Sequence, residues 1–534
     1  MSINKKNTPL VLTILDGWGI NKPYSGNAIT LARKPNFDFF WQKHAHTELK
    51  AHGKYVGLPE KQDGNSEAGH LNLGAGRIVR QEAIVINEAI KDNTFFKNPA
   101  LKRSVEHVKK RPGRQIHLMG LLTGFQSAHA DPAHLIALLK FYRQHKFKNI
   151  FIHLFTDGRD SDRYGALDFL KRLEKELLPY EKIATISGRY YAMDRKNNWD
   201  RTVKIFQAMT TGRANYYARS AEDALNRAYD RGETDEFILP TVIVKHGLCD
   251  KSGLCLRGEP ETVVKSEDSI IFFNLRSDRT RQLTRLFTDN KFIPQINGFR
   301  KIKKIKELVF VTMTDYGPDL ENVLAAFPAQ EIKNSLPEVL SAYHQLYIAE
   351  TEKYAHITYF FNGGHLQPVN GEQQKLIPSP NVATYDLTPE MSAKEITRHV
   401  VNSLNQKKHD FIAINFANPD MVAHTGNLAA GIRAVECIDY CLGKIYQSIK
   451  KQKGILIITA DHGNVEEMIN KKNNTIDTKH SSYPVPFIII DERQIKIKKY
   501  RFRKNGVLAN VAPTILDLMG VKKPTSMTEK SLII

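Results

Sequence analysis

Three aspartates and three histidines stand at spacings that could hold metal ions. Asp420 and His424 are four apart in Asp-Met-Val-Ala-His, so one helical turn puts both on one face. Asp461 and His462 are adjacent after an apolar run, and His480 follows in Lys479-His480-Ser481. Asp16 closes the apolar run 10–15. Six nitrogen and oxygen ligands without a thiolate suit Mn²⁺ or Zn²⁺ better than a structural Cys-zinc site. The number is sufficient for two metals. Singly, each Asp reads as a turn or helix cap and each His as an ordinary side chain. The signal is the set, placed at successive strand ends.

A serine completes the set. Ser66 lies in Gln62-Asp-Gly-Asn-Ser-Glu-Ala-Gly-His70, a polar, glycine-flanked stretch before Leu71 and Leu73. Alone, Ser66 reads as a helix N-cap. A cap also presents backbone N–H groups able to hold phosphate. Beside a metal, its Oγ would be stabilised as an alkoxide and act as a nucleophile at neutral pH.

Arg159, Arg189, Arg195, Arg276 and Arg279 form a second constellation, several just beyond apolar runs. The planar guanidinium matches carboxylate and phosphate bidentately. Five such groups at strand ends predict a pocket for a small substrate bearing phosphate and carboxylate. Asp160 is a candidate general acid or base whose pKa the arginines influence. His129, in Ser127-Ala-His-Ala-Asp131, is a second candidate.

The elements that must position these residues read as strands alternating with helices. Strands are expected at 9–15, 115–119, 149–155, 183–187, 269–274, 308–312, 356–361, 411–416 and 455–459. Helices are expected at 34–42, 80–91, 101–110, 132–145 and 428–450, from near Tyr164, and from Thr388-Pro389, where Thr caps and Pro fits the first turn. This is the pattern of an α/β fold with a mostly parallel sheet. Ligands in such sheets bind beyond the carboxyl ends of the strands. Asp16, Asp420 and Asp461 lie at such ends but come from opposite ends of the sequence. Both ends therefore build one sheet, and the middle is an inserted second domain. The expected spans are 1–80 and 326–534 for the metal domain and 81–325 for the insert. The crossings fall near 77–81 and 316–337, where two adjacent linkers would make a hinge.

At 534 residues, two domains are the expectation. The formal net charge of +20 fits nucleic acid, an acidic surface or anionic small substrates. The lysines are dispersed (109–111, 301–306, 496–504) without an arginine-rich or aromatic-interleaved block, so a solvated basic surface is expected rather than a specific nucleic-acid site. Four cysteines give no disulfide framework. Cys437 and Cys441 read as a helix face in the core, while Cys249 and Cys255 flank a glycine-containing turn. No apolar stretch approaches the ~20 residues that span a bilayer, and the first apolar run is short and ends in an aspartate. No membrane partner and a cytoplasmic location are expected.

With these residues in view, the chain resembles the cofactor-independent phosphoglycerate mutases of the alkaline-phosphatase superfamily. The resemblance rests on Leu15-Asp-Gly-Trp-Gly19, Gly64-Asn-Ser-Glu-Ala-Gly-His70, Thr156-Asp-Gly-Arg-Asp160, Ser187-Gly-Arg-Tyr-Tyr-Ala-Met-Asp-Arg195, Phe273-Asn-Leu-Arg-Ser-Asp-Arg279, Ala349-Glu-Thr-Glu-Lys-Tyr354, Asn418-Pro-Asp-Met-Val-Ala-His-Thr-Gly426 and Asp461-His-Gly-Asn464. It spans essentially the whole chain. Gly124-Phe-Gln-Ser-Ala-His129 departs from the family's Gly-Gly-Val-His-Ser-His type segment, and His129 is placed by a one-residue shift. Ala68 and Ala423 replace an expected Val and Gly.

The resemblance implies an alkaline-phosphatase-like, mostly parallel sheet sandwiched by helices, with a second α/β domain inserted. It implies a monomeric enzyme interconverting 3-phosphoglycerate and 2-phosphoglycerate with two divalent ions, Mn²⁺ by first choice, and no need for 2,3-bisphosphoglycerate. One metal would be held by Asp420, His424 and His480, the other by Asp16, Ser66, Asp461 and His462, with Ser66 transiently phosphorylated. Substrate contacts carried over are His129, Arg159, Asp160, Arg189, Arg195, Arg276, Arg279 and Lys353. Lys353 comes from the resemblance alone, since Glu350-Thr-Glu-Lys353 reads as a helix surface. A metal-dependent phosphatase or sulfatase using the same nucleophile is the alternative.

Overall fold

A computed structural model of the chain describes residues 8–110, 112–124, 127, 129–249, 255–289, 291–294, 304–317, 319–328, 332–365, 367–471, 473–493 and 500–534. Parts of two lysine runs (301–303 and 496–499) and the turn 250–254 lie outside them. The described strands, in chain order, are β1 (Leu10–Leu15), β2 (Ala45–Leu49), β3 (Ile116–Leu122), β4 (Ile150–Thr156), β5 (Glu181–Gly188), β6 (Tyr216–Ala218), β7 (Thr241–Cys249), β8 (Cys255–Pro260), β9 (Ser269–Phe272), β10 (Val309–Thr314), β11 (Val323–Phe327), β12 (Gln345–Glu350), β13 (Glu372–Ile377), β14 (Phe411–Phe416), β15 (Ile455–Thr459) and β16 (Val485–Asp491). The chain divides into two compact units: Met1–Gln81 with Glu331–Ile534, and Glu82–Gln330.

The first unit contains a seven-stranded sheet in the order β13-β12-β14-β1-β15-β16-β2. The strands from β13 to β15 run parallel, and β16 and β2 add antiparallel at one edge. β1 reads Leu-Val-Leu-Thr-Ile-Leu and is buried throughout, as a strand covered on both faces must be. It pairs with β14 (Leu15 opposite Phe416) and with β15 (Ile14 opposite Thr459), so three strands from distant parts of the sequence end at one edge. Asp16, the segment 417–424 and Asp461 emerge there together. Helices Ala393–Asn405 and Leu428–Lys451 pack against each other, and Cys437 and Cys441 are buried in the second.

Three local expectations change. Residues 356–361 do not form a strand but a π-helical turn, His356–Phe360. Ile, Thr, Tyr and Phe favour strands in isolation, yet here the segment packs on helix Ser66–Ala75, where Gly74 lets the Phe361 carbonyl approach closely. The helix expected at Thr388-Pro389 begins instead at Ala393, because Met391 adopts a left-handed φ of 42° that interrupts it. Ser66 is not the N-cap of its helix. Asn65 is, with its side-chain oxygen accepting from Ala68 N at 2.9 Å, and Ser66 is the first helical residue.

The second unit contains a nine-stranded sheet in the order β11-β10-β9-β3-β4-β5-β7-β6-β8. From β11 to β5 all pairings are parallel. β7 pairs antiparallel with β5 and β8, and parallel with β6. The carboxyl ends of β4, β5 and β9 lead directly into 157–160, Arg189 and 276–279. Within the sheet, buried polar side chains line up across strands: His153 Nδ1 lies 2.9 Å from Thr185 Oγ1, His153 Nε2 lies 3.0 Å from His117 Nδ1, and His117 Nε2 lies 3.3 Å from Asp268 Oδ2. Among the described residues, no helix is long and apolar enough to cross a membrane.

Candidate active site

The strand ends of the first unit gather every metal-type ligand expected there. Asp420 sits in the short helix Asn418–Ala423 after β14, and His424 caps that helix, so the helical spacing brings both side chains together. His480 arrives from the segment before β16. His424 Nδ1 lies 2.8 Å from the Thr478 carbonyl, and His480 Nδ1 lies 2.8 Å from the Gly64 carbonyl. Each carbonyl accepts a hydrogen bond, which places a proton on Nδ1 and leaves Nε2 as the nitrogen that would ligate a metal. The two Nε2 atoms face each other at 3.1 Å, and each lies 3.3 Å from Asp420 Oδ1. Three acceptors converging on one point, with their second ring nitrogens anchored to backbone, is the arrangement a divalent cation satisfies. Asp420 draws His424 up to about 8 despite burial, whereas burial holds His480 below its usual value.

Ser66 marks the second gathering point. Its Oγ lies 2.9 Å from His462 Nε2 and 3.3 Å from Asp16 Oδ1. His462 Nε2 lies 3.6 Å from Asp16 Oδ1 and 3.5 Å from Asp461 Oδ2. Asp461 Oδ1 accepts from Gly17 N and His462 N, while its buried Oδ2 lies 3.3 Å from His70 Nδ1 and 3.5 Å from His462 Nε2. A carboxylate at zero exposure is costly unless positive charge offsets it. The Lys353 ammonium pairs with Asp16 and Asp420 and feels the charge of Asp461. Burial and the charge of Asp461 push Asp16 up to about 7. This excess of buried negative charge is what a bound metal would relieve. The residues therefore fit two metal ions: Asp420, His424 and His480 for one; Asp16, Ser66, Asp461 and His462 for the other.

Lys353, in the 3₁₀ turn Thr351–Lys353 after β12, is only 4% exposed. Its Nζ donates to Asp16 Oδ1 (2.6 Å), Asp420 Oδ2 (2.7 Å) and Ser66 Oγ (2.8 Å). Burial alone would lower its pKa, but Asp16, Asp420 and Asp461 outweigh burial and keep it charged well above the lysine range. Sequence reasoning passed over other members of this cluster. His70, one helical turn after Ser66, approaches the Ser66 carbonyl through Nδ1 at 2.9 Å and accepts from Asn415 at 3.0 Å. Asn415 also donates to Asp16 Oδ2 at 2.7 Å. The i, i+4 spacing of Ser66 and His70 was the available signal.

The second unit gathers the arginines at the carboxyl end of its sheet. Arg159, Arg189, Arg195 and Arg279 line one cavity of about 440 Å³, together with Tyr190 and Arg201. Arg189 Nη1 donates to Asp157 Oδ1 (2.6 Å) and Asp160 Oδ2 (2.7 Å). Arg195 donates to Asp278 at 2.8 Å, and Arg276 Nε lies 3.7 Å from the other oxygen of that carboxylate. His129 is buried, with Nε2 3.7 Å from Asp160 Oδ2. Burial, then Arg189 and Arg276, hold His129 down at about 3, so it is neutral. Burial raises the Asp160 pKa, but Arg189, through its charge and its hydrogen bond, and Arg159 more than offset this and keep it ionised. Burial and the crowding by Arg189, Arg195 and Arg159 lower Arg279 to about 10, the electrostatic strain of a cavity built to receive an anion. Asp157, overlooked in the sequence, accepts from Arg189, Arg159 N, Asp160 N and Thr123 Oγ1 and so fixes the loop that carries both candidate contacts.

A sheet whose central strand ends present buried aspartates, histidines and a lysine-clasped serine defines a metal-dependent class of enzyme, and residues 8–523 match the Metalloenzyme superfamily. At the level of whole chains, the protein is 47% identical to the 2,3-bisphosphoglycerate-independent phosphoglycerate mutase of Clostridium kluyveri, over 98% of this chain and 99% of that one. It is 46% identical to the second such mutase of Methanosarcina barkeri, over 98% of both chains. The chain belongs to the family of 2,3-bisphosphoglycerate-independent phosphoglycerate mutases. The crystal structure of Leishmania mexicana phosphoglycerate mutase at low cobalt concentration is similar to it with a TM-score of 0.77 and 28% identity, covering 99% of this chain and 98% of that one.

Proposed function

We propose that the chain interconverts 3-phosphoglycerate and 2-phosphoglycerate without 2,3-bisphosphoglycerate, through a phosphoserine at Ser66. The observation that carries this reading is the position of Ser66 Oγ, held by the Lys353 ammonium at 2.8 Å between Asp16 and His462. Two Mn²⁺ ions, chosen for the all nitrogen and oxygen donor set, would supply positive charge that holds a phosphate oxygen and favours the Ser66 alkoxide. Lys353, charged in its carboxylate cage, donates to the same Oγ and offsets charge as the phosphoryl group transfers.

Ser66 Oγ bonds to phosphorus as the bond from phosphorus to the glycerate oxygen breaks, and the proton that Ser66 gives up ends on that oxygen, so glycerate is released as the free alcohol. The guanidinium forks of Arg276 and Arg279, with those of Arg159, Arg189 and Arg195, retain the glycerate by its carboxylate. Asp160, ionised beside Arg189 and neutral His129, is the base for the glycerate hydroxyl that takes the phosphoryl group back. The reaction is an intramolecular transfer, so water must be kept from phospho-Ser66. A phosphatase would use the same first step and lacks a use for a cavity lined by Arg159, Arg189, Arg195 and Arg279. We take the enzyme to work as a cytoplasmic monomer on a free small molecule. Rapid acid quenching of enzyme mixed with phosphate-labelled 3-phosphoglycerate tests the reading: label is expected on the peptide containing Ser66. Turnover with no label at any quench time contradicts a phosphoserine.

A further inference from the structure

Glu466 lies just past the Asp461-His462 pair and is fully buried. Its carboxylate ties its own loop to two others. Oε2 accepts from Gly19 N at 2.9 Å and from Asn464 N at 2.8 Å, and Oε1 accepts from Ser481 Oγ. Gly19 closes the loop that begins at Asp16, Asn464 belongs to the loop that begins at Asp461 and His462, and Ser481 adjoins His480. Each donor therefore sits on a segment bearing a candidate metal ligand. The fourth such segment joins indirectly, because Asn464 Nδ2 donates to Asp420 Oδ1 at 2.8 Å. The loops are also tied by backbone bonds, Val465 N to Gly17 O at 3.0 Å and Ser481 N to Gly463 O at 2.9 Å. Both Gly19 and Gly463 pack against the Glu466 carboxylate so closely that a Cβ on either would overlap it. The glycines clear the space, and the carboxylate fills it.

We infer that Glu466 is a positioning residue that sets metal affinity by locking the ligand-bearing loops to one another; the inference rests on the metal reading of Asp16, Asp461, His462 and His480. The requirement is for an acceptor facing the two N–H groups and a hydrogen-bond partner facing Ser481 Oγ, not for charge. Glutamine meets it: its carbonyl oxygen can take the place of Oε2 and accept from both N–H groups, while its amide donates to Ser481 Oγ. Aspartate is one methylene too short to reach all three donors, and alanine leaves two buried N–H groups without partners.

The test is titration of Mn²⁺ into metal-free full-length protein by calorimetry, with the thermal midpoint of the metal-free protein measured alongside. Wild type, Glu466→Gln, Glu466→Asp and Glu466→Ala are compared. Glu466→Gln is expected within about threefold of the wild-type Kd, and Glu466→Ala and Glu466→Asp weaker by about 10- to 100-fold, the range for groups that orient metal ligands. Wild-type Kd in the alanine or aspartate variant, even with a lowered thermal midpoint, would assign Glu466 a structural role only and overturn the inference. Equal weakening in the glutamine variant would also overturn it, because charge rather than acceptor geometry would then matter. If wild type binds no Mn²⁺, the metal reading itself fails, and that outcome is distinct from a failure confined to the variants.

Discussion

His424 Nε2 and His480 Nε2 face each other across 3.1 Å, and each ring is anchored to a backbone carbonyl through its other nitrogen. Two imidazole nitrogens and one carboxylate oxygen converging on one point offer three of the donors a divalent cation takes. Removing one ring should therefore remove one ion. Metal analysis after dialysis is expected to give two Mn²⁺ per wild-type chain and one per His424→Ala chain. Two ions in the variant would reassign His424.

Ser66 is the first residue of its helix and leaves the cap to Asn65, so replacing it costs no cap. Ser66→Ala is expected to keep the wild-type thermal midpoint and to lose activity by a factor on the order of 10³ or more, as when a nucleophile is deleted. The measurements are a melting curve and steady-state turnover. Undiminished turnover would remove the phosphoserine step.

Asp157 binds the loop of Arg159 and Asp160 and fixes Arg189 at 2.6 Å. Asp157→Asn keeps an acceptor for the loop amides but withdraws the charge that aligns Arg189. Catalytic efficiency should fall by about 10- to 100-fold, with KM carrying the larger share, since the lost alignment concerns substrate binding. Initial-rate kinetics separates the two constants. A fall in kcat alone would place Asp157 in the chemistry instead.

Burial, then the neighbouring His117, holds His153 well below the ordinary histidine value of 6.5. The unfolded chain binds a proton at His153 below that pH and the folded chain does not. Its contribution to stability is thus present above pH 6.5 and is lost as pH falls, by about 1.4 kcal/mol per pH unit for one proton. In His153→Gln, the thermal midpoint should be lower at pH 8, yet decline less between pH 7 and pH 5 than in wild type. Parallel pH profiles for the two proteins would contradict this.

The central strands were legible because β1, β14 and β15 are short apolar runs ending in an aspartate or an Ala-Asn-Pro-Asp turn, and the rule that ligands gather at such ends applies whatever the distance in sequence. Asp420 and His424 were legible through helical spacing. Lys353 was not: Glu-Thr-Glu-Lys is a surface pattern, and only tertiary structure buries it among three carboxylates. Glu466 and Asp157 escaped for a related reason, since a carboxylate whose partners are backbone amides leaves no mark in spacing. The strand expected at 356–361 failed because β-propensity measures fit to a pleated surface, and this segment packs on a helix.

The central claim is transfer within one glycerate rather than hydrolysis. Purified protein with Mn²⁺ and 3-phosphoglycerate, with no 2,3-bisphosphoglycerate added, should be followed by phosphorus NMR. 2-Phosphoglycerate should build up to equilibrium with negligible free phosphate, and a chelator should stop it. Free phosphate as the main product would contradict the account.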